Sequence, residues 1–194
     1  PLEERKISIS RAKLSVDYPS NLMLVASMNP CPCGFLNHPE KECSCSAKNV
    51  QRYLSKVSGP LMDRIDIHIE LNPVEFEELS LKSPSESSES IRQRVLAARA
   101  IQEKRFKDFA NIHTNAQMES TLIQDFCVLN QGGQLLLKKA MERLKLSARA
   151  YDRILKLSRT IADLEKSESI EIPHLAEAIQ YRSLDRTHWA MPNS

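Results

Sequence analysis

The first residues alternate between apolar and polar positions: Ile7-Ser8-Ile9-Ser10-Arg11, then, after Ala12-Lys13, Leu14-Ser15-Val16-Asp17-Tyr18. Alternation with a period of two sends successive side chains to opposite faces of a strand, so the two arms predict a hairpin with Arg11 and Lys13 at its tip. Leu22-Met23-Leu24-Val25-Ala26 is apolar without alternation, the pattern of a strand covered on both faces of a sheet, and it stops by Met28-Asn29-Pro30. Gln51 to Val57 predicts a short helix broken by Ser58-Gly59-Pro60, and Leu61 to Arg64 a further helical turn. Ile65-Asp66-Ile67-His68-Ile69-Glu70-Leu71 then alternates as a strand, ended by Asn72-Pro73.

Beyond residue 80 the period becomes helical. Ser83-Pro84-Ser85-Glu86-Ser87-Ser88-Glu89-Ser90 has no apolar side chain to bury and reads as a linker. Ile91, Val95, Ala98, Ile101 and Phe106 then share a face of a long amphipathic helix reaching Phe109. Thr121 to Val128 predicts a short helix, with Cys127 as buried packing, and Asn130-Gln131-Gly132-Gly133 a flexible turn before a helix from Gln134 to Leu144. Ser147 is an N-cap for a helix from Ala148 to Glu165, and Ile172-Pro173 opens a last helix through Tyr181. The expected architecture is an α/β fragment over residues 1–78, a linker over 79–90, an all-α helical bundle over 91–186 and a tail over 187–194.

With 194 residues, 41% of them hydrophobic, the chain can bury a real core. Its net charge is +2; residues 1–78 carry −2 and residues 79–194 carry +4, so neither half is a basic nucleic-acid patch by bulk charge. No eighteen-residue apolar run and no basic patch followed by an apolar stretch is present, which leads us to expect no membrane partner and a soluble, cytoplasmic protein. None of the four glycines is followed by Lys-Ser or Lys-Thr, so no phosphate-cradling P-loop can be written, and any nucleotide role is partial.

Four of the five cysteines fall in Cys31-Pro32-Cys33 and Cys43-Ser44-Cys45, two C-x-C pairs nine residues apart. In extended backbone, residues two apart point to the same side, so each pair presents two sulfurs together and the intervening loop lets the pairs meet in a tetrahedron. Four thiolates suit Zn2+ in a structural role, with no position left open for water. His38 is a substitute ligand, and Gly34 allows the tight turn of a knuckle. Free cysteines, or disulfides under oxidising conditions, are the alternatives.

Three stretches in order, Ile7-Ser8-Ile9-Ser10-Arg11-Ala12-Lys13, Leu24 to Gly34, and Ser58-Gly59-Pro60-Leu61-Met62-Asp63-Arg64-Ile65-Asp66, resemble the magnesium-chelatase-like AAA+ ATPases of the ComM (YifB) type. Leu146 to Lys156 and Arg159 to Leu164 are similar to the same family's C-terminal helical domain. The resemblance implies the C-terminal part of an AAA+ P-loop core with a pre-sensor-1 hairpin, followed by a helical lid. The family's Walker A and Walker B segments would lie before Pro1, so this chain by itself is not expected to hydrolyse ATP.

That resemblance also assigns roles. It makes Asn29 sensor 1, an amide aimed at the terminal phosphate or attacking water of ATP with Mg2+; without it, Asn29 reads as a turn residue before Pro30. Arg64 corresponds to the arginine finger that reaches the next subunit of a hexameric ring, against a local salt bridge with Asp63 or Asp66. Arg149 matches sensor 2, and Arg153, a turn later, assists it or belongs to a solvated basic stripe. Arg11 and Lys13 occupy the place of the hairpin's DNA phosphate contacts, against ordinary solubilising charges. The implied function is part of an ATP-driven DNA motor of branch migration. The alternatives are a chelatase-type motor acting on a protein partner, and a zinc-knuckle helix-turn-helix module.

Overall fold

In the computed structural model the described residues are 4–11, 14–71, 74 and 86–182, and they form two compact units that part between Ile65 and Asp66. Lys13, most of the expected linker and the 187–194 tail lie outside the described residues. A small mixed α/β region with a two-stranded sheet precedes a helical bundle, consistent with an AAA+-like core and lid.

In the first unit, β1 (Lys6–Arg11) pairs antiparallel with β2 (Leu14–Pro19). Cross-strand partners share a face, so the register Ile7↔Tyr18, Ile9↔Val16 and Arg11↔Leu14 collects the apolar residues, and Arg11, on one side. The other side holds Ser8 and Lys6, which donate to Asp17 at 2.5 and 3.3 Å; those two contacts hold the Asp17 carboxyl below its ordinary pKa. Two short helices follow: α1 (Ala47–Leu54), capped by Ser46, and α2 (Gly59–Met62), capped by Ser58 with Pro60 in its first turn.

Both central strands expected from the apolar pattern are absent among the described residues. Residues 22–26 and 65–71 pair with no described strand, and Met23 and Val25 are 89% and 82% exposed. A strand exists only through the ladder it makes with a neighbour, and the single backbone bond from residues 65–71 to a distant segment, His68 N–H donating to Tyr181 C=O at 2.9 Å, makes no ladder. The first short helix spans Ala47–Leu54, earlier than the expected 51–57, and stops before Ser58-Gly59-Pro60, which also opens α2, because Ser58 accepts from Leu61 N–H and proline suits a first turn.

The bundle consists of α3 (Ser88–Phe106), a 3-10 turn (Asn115–Gln117), α4 (Ser120–Phe126), α5 (Gln131–Leu144), α6 (Ala148–Leu164) and α7 (Ile172–Gln180). α6 is central: α3, α4, α7 and the 3-10 turn all pack on it. Its buried face includes Ile154, Leu155, Ile161 and Ala162, set against Leu122, Leu137 and Leu175. Phe106, Phe109 and Phe126 meet edge to face with centroids 5.7 to 6.4 Å apart, an arrangement that suits their quadrupoles. Cys127 is buried in this core, as expected.

Three details depart from the sequence pattern. α3 starts at Ser88, inside the expected linker, because Ser87 caps it by accepting from Ser90 N–H. It buries only Ala98, Gln102 and Phe106, leaving Ile91 and Val95 exposed. Gly132 and Gly133 do not form a turn but open α5: Asn130 caps the helix by accepting from Gly133 N–H at 2.8 Å, and a methyl group at Gly132 would meet Ile172 Cδ1 at 3.3 Å. The two glycines therefore admit close packing against α7.

Candidate metal centre and nucleotide-site residues

The knuckle starts with a turn in which Gly34 N–H donates to Cys31 C=O at 3.1 Å, and Gly34 takes φ +84°, a left-handed conformation that glycine adopts without strain. This turn presents Cys31 and Cys33 together. Cys45 is the residue before the Ser46 cap of α1, whose Val50 and Leu54 pack with the cysteines. The four Sγ atoms all lie within 4.8 Å of one another, with Cys31 to Cys33, Cys33 to Cys43 and Cys31 to Cys43 separated by 3.3, 3.5 and 3.7 Å. Zinc bonded to thiolates at about 2.3 Å would need a tetrahedral edge of about 3.8 Å, so the residues present fit a Zn2+ ion.

Electrostatics point the same way. Phe35 N–H donates to Cys33, which with neighbouring thiols brings its pKa down to about 5. Cys43, although it accepts from Cys45 N–H, is pushed up to about 12 by desolvation and by the sulfurs beside it. Cys45 is raised too, although it accepts from Cys33 N–H, by desolvation and by those same sulfurs. One thiolate forms readily in this cluster and further ones repel it; a divalent cation removes that repulsion. His38 is not part of the group: its Nδ1 accepts from Glu40 and Lys41 N–H at 3.1 and 3.2 Å, so the imidazole closes a turn in the knuckle loop.

Asn29 and Arg64 lie in the first unit, Arg149 and Arg153 in the second. Asn29 is exposed, beside Gly34. Arg64 follows α2 and its Nη1 donates to Pro60 C=O at 2.8 Å. Arg149 is exposed in the first turn of α6, where Ser147 caps by accepting from Ala150 N–H. Arg153 forms an ion pair with Asp66, one of the two carboxylates considered for Arg64, so it is not a member of a bare solvated stripe. Arg11 closes β1.

A buried polar network escaped the sequence reading. Asp163, fully buried, accepts two bonds from Arg105 at 2.7 and 2.5 Å, one from Arg159 Nε at 3.2 Å and one from Asn115 Nδ2 at 2.7 Å. Arg159 also donates to the carbonyls of Ser167 and Glu168, tying α6 to the loop before α7. The one local signal is the Arg159/Asp163 spacing of i,i+4 on a helix; Arg105 and Asn115 are distant in sequence.

Two family models together cover most of the chain. Residues 1–79 match "Magnesium chelatase, subunit ChlI", and residues 85–182 match "Magnesium chelatase, subunit ChlI C-terminal". The chain belongs to the magnesium chelatase family of AAA+ proteins. Within that family it is 41% identical over 187 residues to the competence protein ComM of Haemophilus influenzae. It is 38% identical over 188 residues to the uncharacterized protein YifB of Escherichia coli, and 33% identical over 182 residues to an uncharacterized protein of Mycobacterium tuberculosis. These alignments take in 96%, 96% and 94% of this chain but only 35%, 36% and 35% of the respective relatives, so the chain spans about a third of their length. Among its described residues no helix is long and apolar enough to cross a membrane.

Proposed function

We propose that this magnesium chelatase family member contributes the amide and guanidinium side of a composite ATP site in a ring-forming cytoplasmic motor that acts on DNA. The observation that carries this reading is the order of Asn29, Arg64 and Arg149 within family motifs, in a chain without a P-loop of its own. Asn29 acts as sensor 1, Arg64 as a trans-acting finger and Arg149 as sensor 2, assisted by Arg153 when it exchanges Asp66 for phosphate. A guanidinium suits this task because its planar fork opposes the charge spread over the transferring phosphoryl oxygens. Arg11, at the end of β1, and Lys13 touch DNA phosphates without reading sequence. The relative named as a competence protein supports DNA over a protein substrate. A helix-turn-helix module is disfavoured, because α6 spends its apolar face on the core.

The zinc belongs to the same proposal: Cys31, Cys33, Cys43 and Cys45 hold one structural Zn2+, which supplies cross-linking of the loop and no chemistry to the reaction.

The test uses the full-length protein. Arg64→Ala should keep nucleotide binding while ATP turnover falls by about 10³-fold or more; unchanged turnover removes Arg64 from the mechanism. Replacing Arg11 and Lys13 together should lower DNA-stimulated turnover more than basal turnover.

A further inference from the structure

α1 buries Val50 and Leu54 with the cysteines of the knuckle. At about 3.6 residues per turn, that leaves Lys48 and Arg52 on the opposite side of the helix, one turn apart. Lys56 follows in the turn that ends α1, where its N–H donates to Tyr53 C=O at 3.2 Å. All three cations are exposed, and their side chains make no hydrogen bond or ion pair among the described residues. Lys6 and Arg94, also exposed, are instead paired with Asp17 and Glu86. The sequence explains the difference, since no Asp or Glu stands between Glu42 and Asp63. Net charge conceals this row, because residues 1–78 carry −2 as a whole.

We infer that Lys48, Arg52 and Lys56 form a second DNA surface, which takes the phosphate backbone of a strand along α1. The inference rests on the DNA reading above and adds contacts beyond Arg11 and Lys13. A rise of about 1.5 Å per residue sets the three backbone positions about 6 Å apart in a row, less than the screening length of about 8 Å at physiological salt. The charges therefore repel one another. A polyanion relieves that repulsion, and it gives up condensed counterions as it binds. Asn49 and Gln51 flank the row, exposed, and offer amide donors to phosphate oxygens. An acidic protein fits less well: α1 exposes no large apolar side chain, whereas protein interfaces centre on apolar and aromatic residues and are poor in lysine.

The experiment measures binding of a fluorescently labelled DNA duplex to the full-length protein, by anisotropy, over a range of salt concentrations. A Lys48→Gln, Arg52→Gln, Lys56→Gln variant should bind about 10- to 100-fold more weakly at roughly 0.1 M salt, and its slope of log affinity against log salt should flatten by about 2 to 3. A control variant, Lys138→Gln, Lys139→Gln, Arg143→Gln, removes the same charge from exposed positions of α5 and should change the slope by less than about one. The thermal midpoint of the first variant should match wild type, since its three side chains point away from Val50 and Leu54. If it does not, the single Arg52→Gln variant decides: a slope flatter by about one supports the inference, and an unchanged slope overturns it. Unchanged binding by the folded triple variant overturns the inference and leaves the DNA reading standing, whereas no binding by the wild type overturns both. Equal losses in the two triple variants overturn the inference, because the attraction is then one of net charge. Displacement of the duplex by polyglutamate as readily as by unlabelled DNA of equal charge also overturns it, because an acidic protein then serves as well.

Discussion

Asp163 shows how much a single buried charge can organise. Its carboxylate has no exposure and answers two arginines and an asparagine, so replacing it with alanine strands Arg105 and Arg159 without a counter-charge. Breaking a buried pair this way costs about 3–5 kcal/mol, and Asp163→Ala should lower the urea midpoint accordingly. Asp163 was not legible from sequence because its partner Arg105 is 58 positions away and no pattern announces a polar position inside an apolar face. Cys127, in contrast, could be read: it stands on an apolar helical stretch, and burial pushes its thiol up to about 12 from 9.0. A thiol pKa raised on folding means the folded state keeps its proton longer, so this contribution to stability is complete below about pH 9 and is lost as pH rises from there towards 12. The stability difference between wild type and Cys127→Ala, measured by urea titration, should therefore shrink between pH 7 and pH 10.5.

Helix boundaries in this protein are set mainly by side-chain caps. Ser46, Ser58, Ser87, Asn130 and Ser147 each accept a hydrogen bond from the backbone N–H three residues on, which satisfies a donor the helix leaves unpaired. Ser147→Ala should cost about 1 kcal/mol and fray the first turn of α6, read as faster amide exchange at Ala150 and Tyr151. The Ser147 cap was visible in the sequence, since a serine stands before a clear 3.6-residue period. Ser46 was not, since the sequence places that helix from Gln51, and Ser87 was legible only as one of several serines ahead of the apolar period, each able to cap. The glycine pair at 132 and 133 was misread as a turn for a related reason, because the requirement for a small residue comes from Ile172 and Leu175 on another helix. Tyr151 likewise fits the apolar pattern of α6 but is left exposed among the described residues.

For the molecule as a whole, the buried core among the described residues of the first unit is small: Cys31, Val50 and Leu54, with Cys33, Leu36, Cys43, Cys45 and Tyr53 packed against them. Purified protein should contain about one zinc per chain; less than about half an equivalent after metal-free handling counts against the four-thiolate site. Removing the metal with a chelator should broaden the NMR signals of Val50 and Leu54 and leave the unfolding midpoint of the bundle unchanged. By itself the sequence determined the hairpin arms, the pairing of two C-x-C motifs, the amphipathic helices and the family, because each is written in short-range periodicity, spacing or motif order. Only the tertiary structure decided that residues 22–26 and 65–71 form no strand among the described residues, that His38 turns away from the sulfurs, that Arg153 meets Asp66, and that Asp163 gathers its arginines. Those outcomes depend on which partner a backbone edge or a charge finds across the chain, and hydrogen bonds and ion pairs between distant residues leave no periodic trace in the residues that make them.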